Sequence, residues 1–258
     1  MINNYIMKKI VLTKKKIIYA AFLSQEGHIA SSFSVLNILN ILVKYFIFKN
    51  KRYLNNFIMS KGHAALGYYA ILNQEKYIND KIFNDFASFD SPLGGHPKRD
   101  LKYYISSSTG SLGHGFPIAA GMAFANKITK KKKHFYVLMG DQECNEGTLW
   151  ETLLLCNHHK LNNITLIIDR NYSRESDLSL GDLRKKLKPF SNNIYVINGH
   201  NEMQIKKSLK KFSGDLKIII ANTVKGYGSK IIEKDNIWHH KFPKSKKECE
   251  LLSQTILH

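Results

Sequence analysis

A chain of 258 residues with 43% hydrophobic and 23% charged content can bury a full core, which excludes a disordered or fibrous protein. Lys plus Arg outnumber Asp plus Glu by 39 to 20, a formal charge of +19. Such a surface attracts acidic partners, but the lysines are scattered and no nucleic-acid-binding motif accompanies them, so nucleic acid is not an expected partner.

Helical periodicity runs over residues 5–24, with a lysine-rich outer face. Its apolar part, Ile17 to Leu23, is at the lower edge of a signal-peptide core and reads instead as the buried face of a helix. Glu26-Gly27-His28 breaks that helix, and Ser31, Ser32 and Ser34 offer caps for a second helix over 35–46. The apolar stretch 33–48 carries Asn37, Asn40 and Lys44 and is too short to span a bilayer, so no membrane association is expected. Residues 52–58 lead to Met59-Ser60-Lys61-Gly62-His63, a loop that opens a helix over 64–72. A helical stretch over 80–87 and a Gly- and Ser-rich loop region over 88–115 follow. A helix over 118–127 and a basic turn over 130–133 then lead into the most informative part of the chain.

Residues 135–139 form a short apolar run ending at Gly140-Asp141. Helical periodicity occupies 146–159, and a second apolar run, 164–168, ends at Asp169-Arg170-Asn171. Strand, helix and strand make one parallel βαβ unit. Asp141 and Asn171 then stand side by side beyond two strand ends, where such sheets bind ligands. A carboxylate and an amide oxygen suit a hard divalent cation, and the helix N-terminus suits a phosphate. The unit reads as a site for a magnesium–diphosphate pair, the plainer alternative being an ordinary crossover with polar loop ends. Strands over 194–198 and 217–223, loops at 225–228 and 238–243 and a short polar helix complete a single α/β domain, 1–258. Its mostly parallel β-sheet is flanked by helices. Cys144, Cys156 and Cys249 have neither disulfide nor metal-ligand spacing, which fits a reducing, cytoplasmic compartment.

Three motifs pair a glycine with a histidine: Gly27-His28, Gly62-His63 and Gly95-His96. One alone is more often a plain surface or core histidine. Three, with His239 after Trp238, point to a polar ligand cleft. Together with Gly140-Asp141, Glu146-Gly147, Trp150-Glu151 and Asp169-x-Asn171, they resemble the landmarks of transketolases, in the right order over residues 10–243. The resemblance implies the thiamine diphosphate-binding fold of a transketolase N-terminal domain. The implied reaction is transfer of a two-carbon ketol unit from a ketose to an aldose. It implies that His63, Gly110, Leu112, Gly140, Asp141, Gln142, Glu146 and Asn171 face thiamine diphosphate. Asp141, Asn171 and the backbone carbonyl of Ser173 would ligate Mg2+, or Ca2+ or Mn2+ in its place. His28, His96 and His239 would act on the substrate, with Glu146 in the proton-relay network. Trp150 and Leu153 are expected to be packing residues.

Some positions depart from the family pattern. Gln142 stands where the family has glycine, and its Cβ is unfavourable if the backbone there needs a positive φ. Ile29-Ala30-Ser31 replace Pro-Gly-Gly, His114 replaces a glutamine, and residues 172–177 lack the usual run. In the family a second domain holds the pyrimidine end of the cofactor, and the residues after Pro243 are too few for one. The expectation is a split enzyme, completed by a separate C-terminal chain as a heterotetramer and acting on a sugar or sugar phosphate. Two alternatives stand beside it: another thiamine diphosphate-dependent transferase of a specialised sugar pathway, and a non-catalytic module that binds through the basic surface.

Overall fold

The structure, a computed structural model, describes residues 2–172, 179–211, 214–233 and 235–257. Two helices open the chain, α1 (Ile2–Ser24) and α2 (Ile29–Tyr45). A two-stranded hairpin follows, β1 (Phe48–Lys49) with β2 (Arg52–Tyr53), then strand β3 (Phe57–Met59). Helices α3 (Ala65–Gln74), α4 (Asp80–Asn84) and α5 (Gly115–Ile128) precede β4 (Phe135–Gly140). Helix α6 (Gly147–His158) crosses to β5 (Ile164–Arg170). The remainder is α7 (Leu183–Leu187), β6 (Ile194–Asn198), α8 (Glu202–Lys210), β7 (Lys217–Asn222) and α9 (Lys246–Gln254).

Strands β3 to β7 form one parallel sheet in the order β3-β4-β5-β7-β6. Successive side chains of a strand point to opposite faces, and the two cores follow that rule. Phe135, Val137 and Met139 of β4 enter a core shared with α5 and α6, whereas Tyr136 and Leu138 enter one shared with α1, α2 and α3. Ile167 and Ile219 join Leu138 on one side, while Leu166, Ile168, Ile218 and Ile220 lie on the other. Both faces are covered, so the strands are continuous apolar runs, as parallel sheets require. Helix α2 is buried nearly all round, with Asn37, Lys44 and Tyr45 its less buried residues, because it lies within the layer of helices on the sheet.

The βαβ unit lies where the sequence places it, but two expectations need correction. Helix α2 begins at Ile29, not near residue 35, and no side chain caps it. Ser31, Ser32 and Ser34 are buried inside the helix, and Ser34 is drawn to a distant carboxylate, Asp169, instead of to its own helix terminus. Strand β3, short helix α7 and helix α8 are not marked out by apolar runs; β3 is only three residues long.

The first residue of α5 abuts the loop after β3. A methyl group placed on Gly115 would fall 2.5 Å from Cβ and Oγ of Ser60 and 2.7 Å from its Cα. Gly115→Ala is therefore expected to lower the unfolding free energy by about 1–3 kcal/mol through overpacking. Urea denaturation at unchanged slope should show the lower midpoint; an unaltered midpoint would mean the Ser60 loop yields freely.

Candidate functional site

The carboxyl ends of β3, β4, β5 and β7 converge on one buried ion pair. The Lys61 N–H donates to the Leu138 carbonyl (2.9 Å), which fixes the chain just beyond β3. From there the Lys61 side chain passes under Gly140 and pairs with Asp169 near the end of β5. Lys61 is 2% exposed and Asp169 not at all. Asp169 also accepts hydrogen bonds from Thr223 beyond β7, from Nδ2 of Asn171 (3.0 Å) and from the Ser34 hydroxyl of α2 (2.9 Å). Lys61 donates to that same hydroxyl (3.0 Å). Burial pushes the Asp169 carboxyl up, but the Lys61 ammonium and these donors outweigh it and hold the group below the usual carboxylate range.

Asp141, the first residue after β4, presents the opposite balance. Its Oδ2 accepts the N–H groups of Asn171 and Tyr172 (3.0 Å each), and its Oδ1 that of Gln142 (2.9 Å). Tyr172 is held at φ +57°, a left-handed conformation that lets the two consecutive N–H groups face one carboxylate as an anion-binding nest. Even so, burial and the neighbouring Asp169 charge raise the Asp141 pKa to about 6. A raised carboxyl contributes stability that is complete below its unfolded pKa and lost as pH rises through about 6. At neutral pH an ionised Asp141 lacks enough nearby positive charge, a deficit of about 3 kcal/mol.

Glu143 was not singled out by the sequence. It is 1% exposed and ties three loops together. Its Oε1 accepts from the Ser60 hydroxyl (2.5 Å) and the Gly113 N–H (3.1 Å), and its Oε2 from the Gly140 N–H (2.7 Å). Gly113 has φ +78°, and a Cβ there would strike Thr148 Oγ1 and the Glu146 side chain. The available signal was its place three residues after Gly140, where a glutamate reaches back to the first free N–H of a helical turn.

The histidines gather beside this framework. The His28 ring lies 5.1 Å from that of His63 and 6.4 Å from that of His96, between centroids. The backbones of Gly62 and Gly110 meet next to the His96 ring. A fourth ring, that of His240, stacks on His28 at 4.4 Å with planes 25° apart, and its Nε2 lies 3.5 Å from Glu26 Oε1. Sequence reasoning chose His239 for this cleft; the described ring in it is that of His240, and the His239 side chain lies outside the described residues, as does Ser173. Four imidazoles and a carboxylate make a cleft able to donate and accept protons among hydroxyl and carbonyl oxygens.

The sequence matches the family model described as transketolase, thiamine diphosphate binding domain, over residues 9–254. The chain belongs to the transketolase family. The A chain of the two-part apulose-4-phosphate transketolase of Actinobacillus succinogenes is 33% identical over 257 residues, which cover 95% of this chain and 93% of that protein. The protein of the same name from Phocaeicola vulgatus is 32% identical, with 93% and 90% covered. Human transketolase is 30% identical over 254 residues, 93% of this chain but 40% of that enzyme. The transketolase structure from Leishmania mexicana shares the fold with a TM-score of 0.84 at 23% identity, and 95% of this chain spans 40% of that one. Transketolases are transferases, and the matched domain is the one that binds thiamine diphosphate.

Within that transketolase fold, Gly140, Asp141, Gln142, Glu146 and Asn171 sit together at the β4 and β5 ends, and His28, His63, His96 and Gly110 in the adjoining cleft. Leu112 is 41% exposed, and its carbonyl oxygen lies 2.9 Å from His114 Nδ1. The backbone at Gln142 is not among those with positive φ, so its Cβ causes no left-handed strain. Leu153 is fully buried as a packing residue, and Trp150 is half-buried with its indole N–H donated to the Cys144 carbonyl (3.2 Å).

Removing one member of the buried pair leaves the other uncompensated. Lys61→Met is expected to cost about 3–5 kcal/mol of stability, measured by denaturant unfolding of the chain without ligands. A loss under about 1 kcal/mol, the value of an exposed pair, would show that water reaches Asp169.

Proposed function

We propose that this chain is the cofactor-binding subunit of a two-chain transketolase that moves a two-carbon ketol unit between sugar phosphates in the cytoplasm. The observation that carries the reading is its match along 93% of a relative that is itself named as one subunit of a transketolase. Full-length transketolases are spanned only to about 40%. A separate C-terminal chain with the pyrimidine-binding domain would complete the site, in a heterotetramer with two copies of each. The sugar-phosphate class follows the names of the two relatives. Three buried free cysteines suit a reducing compartment.

The donor set fits a divalent cation. Asp141 and Asp169 are two buried carboxylates served by one buried ammonium, and Asp141 carries the unmet charge. Asp141, the Asn171 side-chain oxygen and the Ser173 carbonyl would hold Mg2+ against the cofactor diphosphate, with His63, Gly110, Leu112, Gly140 and Gln142 around the cofactor. Bound thiamine diphosphate would supply the carbon–carbon bond-breaking and bond-forming chemistry that side chains lack. Glu146, at the start of α6, would face the partner domain and its proton relay. The Glu26 carboxylate favours the proton on Nε2 of His240 and leaves Nδ1 as an acceptor. His28, His96, His240 and His239 would orient the sugar and exchange protons with its hydroxyl and carbonyl oxygens.

The purified chain alone, given thiamine diphosphate, Mg2+ and ketose phosphate donors, is expected to show no transketolase turnover, and turnover should appear on adding the C-terminal chain. Turnover at an ordinary rate by the single chain would sink the two-chain reading. Because a proton competes with the metal at Asp141, calorimetric affinity for Mg2+ with thiamine diphosphate should be constant above pH 7. It should then fall about tenfold per pH unit below about 6. Affinity unchanged at pH 5 would remove Asp141 from the metal site.

A further inference from the structure

At the end of the sheet opposite the histidine cleft, the segments leading into β3 and β4 enclose a cavity of about 700 Å³. Lys49 and Arg52 of the β1–β2 hairpin stand on one wall, and Lys132 and Lys133 on the other. Among the described residues no carboxylate lines it. Both walls come from stretches without any Asp or Glu, residues 27–74 and 101–140. Among the described residues none of these four cations is in an ion pair. Like charges converging on a concave surface focus a positive potential that an anion would relieve. Burial and the neighbouring Lys131 already lower the Lys133 pKa.

The remainder of the lining is aromatic. Phe46 and Tyr136 meet edge to face at 5.6 Å, and the His134 ring lies 4.9 Å from Tyr136. Burial and Lys217 lower the His134 pKa to about 4, so at neutral pH it presents an uncharged ring. A planar aromatic group has a surface to lie on, with cations around it to meet phosphate oxygens. The volume falls within the range of small-molecule sites, roughly 300–1,000 Å³. Sugar phosphates or free phosphate would leave the aromatic surface uncovered. We infer that this cleft binds a nucleoside phosphate. Tyr136 precedes Asp141 by five residues along β4, about 17 Å at the rise of a strand, so this site is separate from the proposed cofactor site.

The test is calorimetric titration of the full chain with ATP, adenosine and inorganic phosphate. Two variants of exposed cleft residues accompany it, Lys49→Glu with Arg52→Glu, and Lys132→Glu alone should the first fail to fold. The expected result is one ATP per chain, about tenfold or more tighter than adenosine or phosphate and weaker in rising salt. The charge-reversed chain should bind ATP at least about tenfold more weakly, and Asp141→Ala should bind it as the wild type does. Equal binding of phosphate and ATP would reduce the cleft to general charge attraction and overturn the inference. So would affinity indifferent to the cleft variants, loss of ATP binding in Asp141→Ala, or preference for a single-stranded oligonucleotide over ATP. The Asp141→Ala arm also separates this outcome from failure of the cofactor reading.

Discussion

The Lys61–Asp169 pair is the interaction on which the catalytic end of this fold depends. It joins the loop after β3 to the end of β5, and through Thr223 and Ser34 it recruits β7 and α2. A buried ion pair is weak evidence for net stability, since desolvating two charges offsets much of their attraction. Its effect here is geometric. Four separate chain segments can satisfy Asp169 only when their ends are aligned, and that alignment sets the Asn171 amide beside Asp141. Glu143 repeats the device one layer away, with a single carboxylate holding the loops that carry Ser60, Gly113 and Gly140.

These buried carboxylates leave the two halves of the site in different electrostatic states. Asp169 is matched by its lysine, whereas Asp141 is held by backbone amides that carry only partial charge. A site that keeps one carboxylate short of positive charge stays less stable when empty and gains on loading. The histidine cleft differs again. It stands on loops, His96 is exposed, and its rings contact one another more than the core.

The central βαβ unit was legible in the sequence because strand, helix and strand differ in period and end on polar residues that a core would reject. The glycine–histidine pairs were legible as a group for a similar reason: nothing in packing asks for three of them. Other features were hidden. Serines near a helix start normally cap it, and Ser34 does not because its partner lies 135 residues away in sequence. His239 and His240 differ by one step of a short helical turn, a rotation that no local pattern determines. Glu143 has the composition of an exposed first-turn acid, and only the fold reveals that three loops close over it. Strand β3 is too short to show alternation, yet it carries Lys61 into place.

The strict alternation of β4 between two cores has a consequence for how the gene can vary. Every residue from Phe135 to Gly140 is buried, so no position along the strand can absorb a change of length. Loss of one residue there would exchange the contents of the two cores and pull Asp141 back into the sheet, away from Asn171. The exposed lysines at 130–132, immediately upstream, have no such constraint. Insertions and deletions in natural relatives should therefore accumulate in that turn and stop abruptly at Phe135, which makes the spacing from there to Asp141 more telling than the identity of any residue within it.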